Sequence, residues 1–233
     1  MILIKLILAH LIGDFFLQPT SWVKEKEKQK LKSPKLYLHV LIHVALLFLV
    51  LWDLSKWPII LIIGVSHFVI DALKLLIQKK KTKRLLFFID QLLHIMVLVA
   101  VYWFGSSNNG FLGEIFTNNT LILLTCILFL TLPTSIIMKT IFMKWDISKL
   151  TEGNESLKDA GMYIGILERI LVFVFVILNH WEAVGFLITA KSVFRFGDLK
   201  ESKERKLTEY ILIGTLISFG IAILVGLMYL MIF

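Results

Sequence analysis

The chain has a single cysteine, Cys126, among 233 residues. One thiol forms no intramolecular disulfide and builds no thiolate metal cluster. Inside its apolar run it reads as a small hydrophobe. Proline is scarce as well, four in all. No Gly-x-Ser-x-Gly elbow occurs, which removes the usual serine-hydrolase signature. Charged residues reach only 18%. Lys and Arg are missing altogether from 106–118, and there is no low-complexity tract or internal repeat.

Hydrophobic residues fill the space instead. They make up 58% of the chain, with a mean hydropathy of +0.82. Several runs approach or exceed the ~18 apolar residues that signal a bilayer span. The reading is an all-α polytopic transmembrane bundle of about eight helices, at roughly 2–18, 36–54, 57–78, 85–105, 119–142, 160–178, 182–197 and 208–232. The seventh is short for a span. The first carries His10, Asp14 and Gln18 and no small-residue cleavage site, so it reads as a retained membrane helix. Pro133 should kink the fifth helix, and Gly161 with Gly165 should form a close packing face in the sixth.

The formal net charge of +8 would suggest nucleic acid in a soluble protein. Here the basic residues crowd into loops 19–35, 79–84, 143–159 and 198–207, and the alternate connections hold almost none. The positive-inside rule then places the basic loops in the cytoplasm and both termini on the outer side. The expected contacts are the lipid bilayer and its anionic headgroups, with no nucleic acid. Lys24 to Lys32 reads as a solvated topogenic loop, with an interfacial helix as the alternative.

Polar residues inside the spans carry the chemistry. The first helix holds His10, Asp14 and Gln18, the second His39 and His43. The third holds His67, Asp71 and Lys74, the fourth Asp90, Gln91 and His94. Each His/Asp pair is spaced i, i+4, which stacks both side chains on one helix face. At 1.5 Å per residue all four pairs fall ~5–16 Å from the cytoplasmic helix ends, at one common depth. Carboxylates at that depth cost about 2.5–3.5 kcal/mol each on the insertion scale, and a bound divalent cation offsets that cost. His10, Asp14, His39, His43, His67, Asp71, Asp90 and His94 are therefore the candidate metal ligands. Five imidazoles and three carboxylates exceed one tetrahedral site and suit two ions, with N/O ligation allowing Zn, Mn or Fe.

The second half offers Glu168 and Arg169, Lys191 and Arg195, and Glu209. These read either as a structural ion-pair network or as an anion clamp of Arg169, Lys191 and Arg195 joined by Lys74. The chain so divides into a four-helix metal-site half, 1–105, and a four-helix half with intramembrane basic residues, 106–233, within one integral-membrane unit.

The segments "HLIGDFFLQ", "HVLIH", "HFVIDALK" and "FFIDQLLH", with the later "GILER", "FLITAKSVFRFGDL" and "EYILIGTLISFG", resemble a bacterial integral-membrane family of unknown function (domain of unknown function 3307). The resemblance implies a bacterial cytoplasmic-membrane location. It supports His10, Asp14, Gln18, His39, His43, His67, Asp71, Lys74, Asp90 and His94 by motif. A fainter similarity to membrane-bound metal-dependent hydrolases suggests a reaction type by analogy. The expected activity is metal-dependent hydrolysis of a phosphorylated or otherwise anionic lipid-like substrate. Asp14 or Asp90 would accept a proton, and Lys74 would direct the anion. Gln18, Gln91, Glu168 and Glu209 would support the site. A metal-ion or proton transporter, a di-iron lipid oxidoreductase and a non-enzymatic membrane partner are the alternatives.

Overall fold

A computed structural model describes residues 2–105, 119–145, 159–196 and 202–232. The expected external loop at 106–118, most of the basic loop 143–159 and the first part of the basic loop 198–207 lie outside these residues. Every regular element among the described residues is helical.

α1 (Ile2–Leu11) passes directly into a π-helical turn (Ile12–Phe16). The Leu17 amide marks that turn by donating to the Ile12 carbonyl, five residues back, at 2.9 Å. α2 (Thr20–Gln29) follows Pro19 and turns away, the two helical stretches meeting at 82°. α3 (Pro34–Leu51) starts as its sequence dictates. The Ser33 hydroxyl accepts from the Lys35 amide, and Pro34 fills the first position, where no amide is needed. The chain continues through α4 (Trp57–Ile77), α5 (Lys83–Gly105), α6 (Asn119–Leu130) and α7 (Leu132–Phe142). It ends with α8 (Ala160–Ile177), α9 (Trp181–Phe196) and α10 (Ser202–Ile232).

Among the described residues six helical stretches are long and apolar enough to cross a membrane, seven if the bent α1–α2 pair counts as one span. This is a multi-pass membrane protein. α9 has 16 residues, about 24 Å of helix, and falls short of the ~30 Å hydrocarbon core. Leu41, Leu49, Leu61 and Leu92 are each more than half exposed, the outward apolar surface that suits lipid.

The chain divides into two compact units, Met1–Thr125 and Cys126–Phe233. In the first, α1 and α4 each pack against both α3 and α5. Successive long helices run in opposite directions. The starts of α1 and α4 therefore meet the ends of α3 and α5, where Leu6, Ala9, Leu47, Leu51, Ile60, Ile63 and Leu98 form a buried apolar core. The opposite end receives the polar residues.

In the second unit α8 packs against α7, α9 and α10 around Val172, Phe173, Val176, Phe219 and Ala222. The kink expected at Pro133 is a full break at Thr131, with Pro133 in the first turn of α7. The break leaves the Leu130 carbonyl without an amide donor, while the Thr131 carbonyl still accepts from the Ser135 amide at 3.1 Å; Arg169, only 3% exposed, donates to both. Its Nε donates to the Leu130 carbonyl at 2.7 Å and its Nη2 to the Thr131 carbonyl at 3.2 Å. The Ser135 and Ser218 hydroxyls accept at 2.7 and 3.2 Å. Lys191 donates to Glu168. The expected glycine face is not formed as a pair. Gly165 lies against Arg169, whereas nothing stands within 4 Å of a Cβ added at Gly161.

Arg169→Ala leaves the buried Leu130 carbonyl unpaired and should lower stability by about 2–4 kcal/mol. Thermal unfolding in detergent measures it, and a melting point equal to wild type would contradict this account of the break.

Candidate metal centre

Each of the four helices carries its pair to the polar end of the first unit. α1 and its π turn bring His10 and Asp14, α3 brings His39 and His43, α4 brings His67 and Asp71, and α5 brings Asp90 and His94. All five histidines are at most 3% exposed. Their rings touch: His43 and His67 centroids lie 3.9 Å apart, His67 and His94 4.1 Å, and His39 and His43 4.6 Å. His10 closes the group at 5.1 Å from His94. His180 is exposed and pairs with Glu182, apart from the cluster.

The cluster centres on one oxygen. Asp14 Oδ1 lies 3.0 Å from His43 Nε2, 3.3 Å from His39 Nε2 and 3.6 Å from His67 Nε2. His39 and His67 Nε2 are 3.1 Å apart. Four ligands held ~2.0–2.1 Å from a tetrahedral ion stand ~3.3–3.4 Å from one another. The four measured separations scatter about that edge length. His10, Asp14, His43 and His67 also offer ligand atoms within 4.8 Å of one another, as do His39, His67 and Asp71, and Asp14, Asp90 and His94. These buried His/Asp groups could hold a metal ion.

Hydrogen bonds aim the ligands. Gln91 Nε2 donates to Asp14 Oδ2 at 2.8 Å and to Asp90 Oδ2 at 3.3 Å, and its Oε1 meets His10 Nε2 at 3.3 Å. Gln18 Nε2 stands 2.8 Å from His39 Nε2. His94 Nδ1 donates to the Asp90 carbonyl at 2.9 Å, which leaves Nε2 its lone pair. A second ring nitrogen held by a backbone carbonyl is the usual support of a metal-binding histidine. His94 Nε2, Asp90 Oδ1 and His39 Nδ1 are buried without a partner. Buried polar atoms are nearly always satisfied, so such orphans point to a missing ligand.

The expected cations are differently placed. Lys74 Nζ donates to Asp90 Oδ2 at 2.7 Å and so steadies a candidate ligand. Four of the five Arg169 donors meet carbonyls and hydroxyls, and Lys191 donates to Glu168. Arg195 lies on α9 with its side chain outside the described residues, and Glu209 is exposed on α10. Lys26, expected in a solvated run, is instead 5% exposed and donates to Asp71 Oδ2 at 2.8 Å.

Gly13 makes the cluster possible. A Cβ there would lie 2.4 Å from His43 Cε1 and Nε2. Gly13→Ala must push the His43 ring off Asp14, an overpacking expected to cost about 1–3 kcal/mol. Gly161→Ala, with open space at its Cβ, should be neutral or stabilising. Paired melting curves check this, and equal shifts would show that the His43 contact carries no constraint.

A family model described as a protein of unknown function (DUF3307) matches residues 2–123. No curated protein and no solved structure matches the chain. The matched segment holds all eight clustered His/Asp residues with Gln18, Gln91 and Lys74, and stops short of Glu168, Arg169, Lys191, Arg195 and Glu209. The family match covers more than half the chain, and the chain belongs to this family of unknown function.

Proposed function

We propose that the chain is a membrane-embedded, metal-dependent hydrolase that works at the cytoplasmic leaflet of a bacterial inner membrane on a phosphorylated or otherwise anionic lipid-like substrate. One observation carries the metal part of this reading: three imidazole Nε2 atoms converge on Asp14 Oδ1 at 3.0, 3.3 and 3.6 Å. One carboxylate oxygen has little use for three histidines unless something sits among them. His10, Asp14, His43 and His67, whose ligand atoms all lie within 4.8 Å of one another, are the set for a first ion. His94 Nε2 and Asp90 Oδ1, both without partners, are the atoms left for a second, with Asp14 as the shared carboxylate. Mixed nitrogen and oxygen donors suit Zn, Mn or Fe.

A divalent ion in such a site supplies a Lewis acid and acidifies a bound water. The chain's own residues divide the remaining work. Asp14 is enclosed by imidazoles and reads as a ligand. Asp90 has one oxygen fixed by Lys74 and the other open; in the state with one ion bound, that open oxygen is the better proton acceptor. Transport through the same residues would need a polar route onward. The far end of these helices is closed by the Leu6, Leu47, Ile60 and Leu98 core, which favours chemistry on one side of the membrane.

Purified protein should retain a divalent metal through desalting and release phosphate from a lipid phosphate. His67→Ala and Asp14→Asn should drop both to background. Gln91→Ala, which removes only an aiming residue, should weaken metal affinity about 10–100-fold. Elemental analysis and a phosphate-release assay read these outcomes. Full activity in metal-stripped His67→Ala would sink the proposal.

A further inference from the structure

A cation already sits on one of the clustered carboxylates. Lys26 Nζ donates to Asp71 Oδ2 at 2.8 Å, and both side chains are under one-tenth exposed. Asp71 Oδ2 in turn stands 3.8 Å from His39 Nε2. A lysine is almost never fully buried without a charge partner, and this one comes from a different element. α2 leaves α1 at 82° and lies against the start of α3. The neighbouring residue fastens it: Glu27 accepts from Gln78 Nε2 at 3.0 Å and from Lys83 Nζ at 2.8 Å. α2 is thus tied to the end of α4 and the start of α5, with Lys26 directed inward.

We propose that Asp71, flanked by His39 and His67, is a further cation subsite of the metal centre, and that the chain fills it with its own ammonium, Lys26. The inference rests on the metal reading given above. His39, His67 and Asp71 offer ligand atoms within 4.8 Å of one another; with His67 on the first ion, His39 Nε2 and Asp71 Oδ2, 3.8 Å apart, are the protein donors for a further ion once the lysine withdraws, and water completes its shell. Lys26 and His39 face the same atom, Asp71 Oδ2, at 2.8 and 3.8 Å, so an ion held between His39 and Asp71 competes with the ammonium for that one oxygen and is repelled by it. Ion and lysine therefore exclude each other there. Because Lys26 rides on α2, filling the subsite with metal displaces that helix, and loosening the helix favours the metal. The coupling is the same in both directions.

Full-length protein in detergent, stripped of metal, is titrated with Mn²⁺ alone and its stoichiometry read by calorimetry. Lys26→Met keeps most of the apolar stem and removes the charge. It should bind one more equivalent of Mn²⁺ than wild type, while Lys26→Arg keeps the wild-type number. Glu27→Gln cuts the tie and leaves every clustered residue in place. It should show the extra equivalent at roughly tenfold lower Mn²⁺ than wild type, the fold-change expected of a modest coupling. It also carries the test if Lys26→Met does not fold. Unchanged titrations in a wild type that does bind Mn²⁺, in Lys26→Met and in Glu27→Gln overturn the assignment of Lys26 alone. A wild type and variants that bind no metal overturn the metal centre itself.

Discussion

A carboxylate placed inside a membrane-length bundle must be compensated, and Asp14 sets the terms for the first unit. Its Oδ1 collects three imidazoles and its Oδ2 the Gln91 amide. Supplying those groups takes one helix each from α1, α3, α4 and α5, so the antiparallel arrangement and the site are one design. The apolar residues sort to the other end because no polar group there would find a partner. Lys74 and Gln91 then hold Asp90, and Lys26 holds Asp71. Among the described residues of the unit no buried carboxylate lacks a donor, yet ligand atoms on His94 and Asp90 remain open.

The second unit meets the same constraint with the opposite charge. Arg169 is buried, and what compensates it is backbone: the Leu130 carbonyl, left without an amide where α6 gives way to α7, and the Thr131 carbonyl, which it shares with the Ser135 amide. Neither feature is affordable alone. A broken helix leaves acceptors bare, and a buried guanidinium needs acceptors. Together they form a structural fastening.

How much of this was legible follows from what spacing can and cannot report. The i, i+4 pairs named the helix faces, and lysine-rich loops gave the depth, so the eight clustered residues could be chosen without coordinates. Lys26 could not. Lys24, Lys26, Lys28, Lys30 and Lys32 alternate with no feature to single one out, and the choice is made by the turn between α1 and α2. Arg169 and Lys191 advertised charge, but the freed Leu130 carbonyl that claims Arg169 exists only because Thr131 breaks the helix. The shortness of α9 was visible; that it falls below a full span was the structure's addition. Gly13 gave no signal at all, since its role is the room it leaves for a ring from α3.

The π turn at Ile12–Phe16 has a consequence for how this segment can vary. Such a turn holds one residue more than the helix around it, which advances the angular phase of everything beyond it by about 100°. Upstream, Leu3, Leu6 and Ala9 are committed to the apolar end; downstream, Asp14 is committed to the imidazoles. The extra residue reconciles those two headings. The stretch can accept substitutions at its lipid-facing positions, but it cannot lose a residue: shortening it by one would leave a smoother rod with its acid swung out of the cluster.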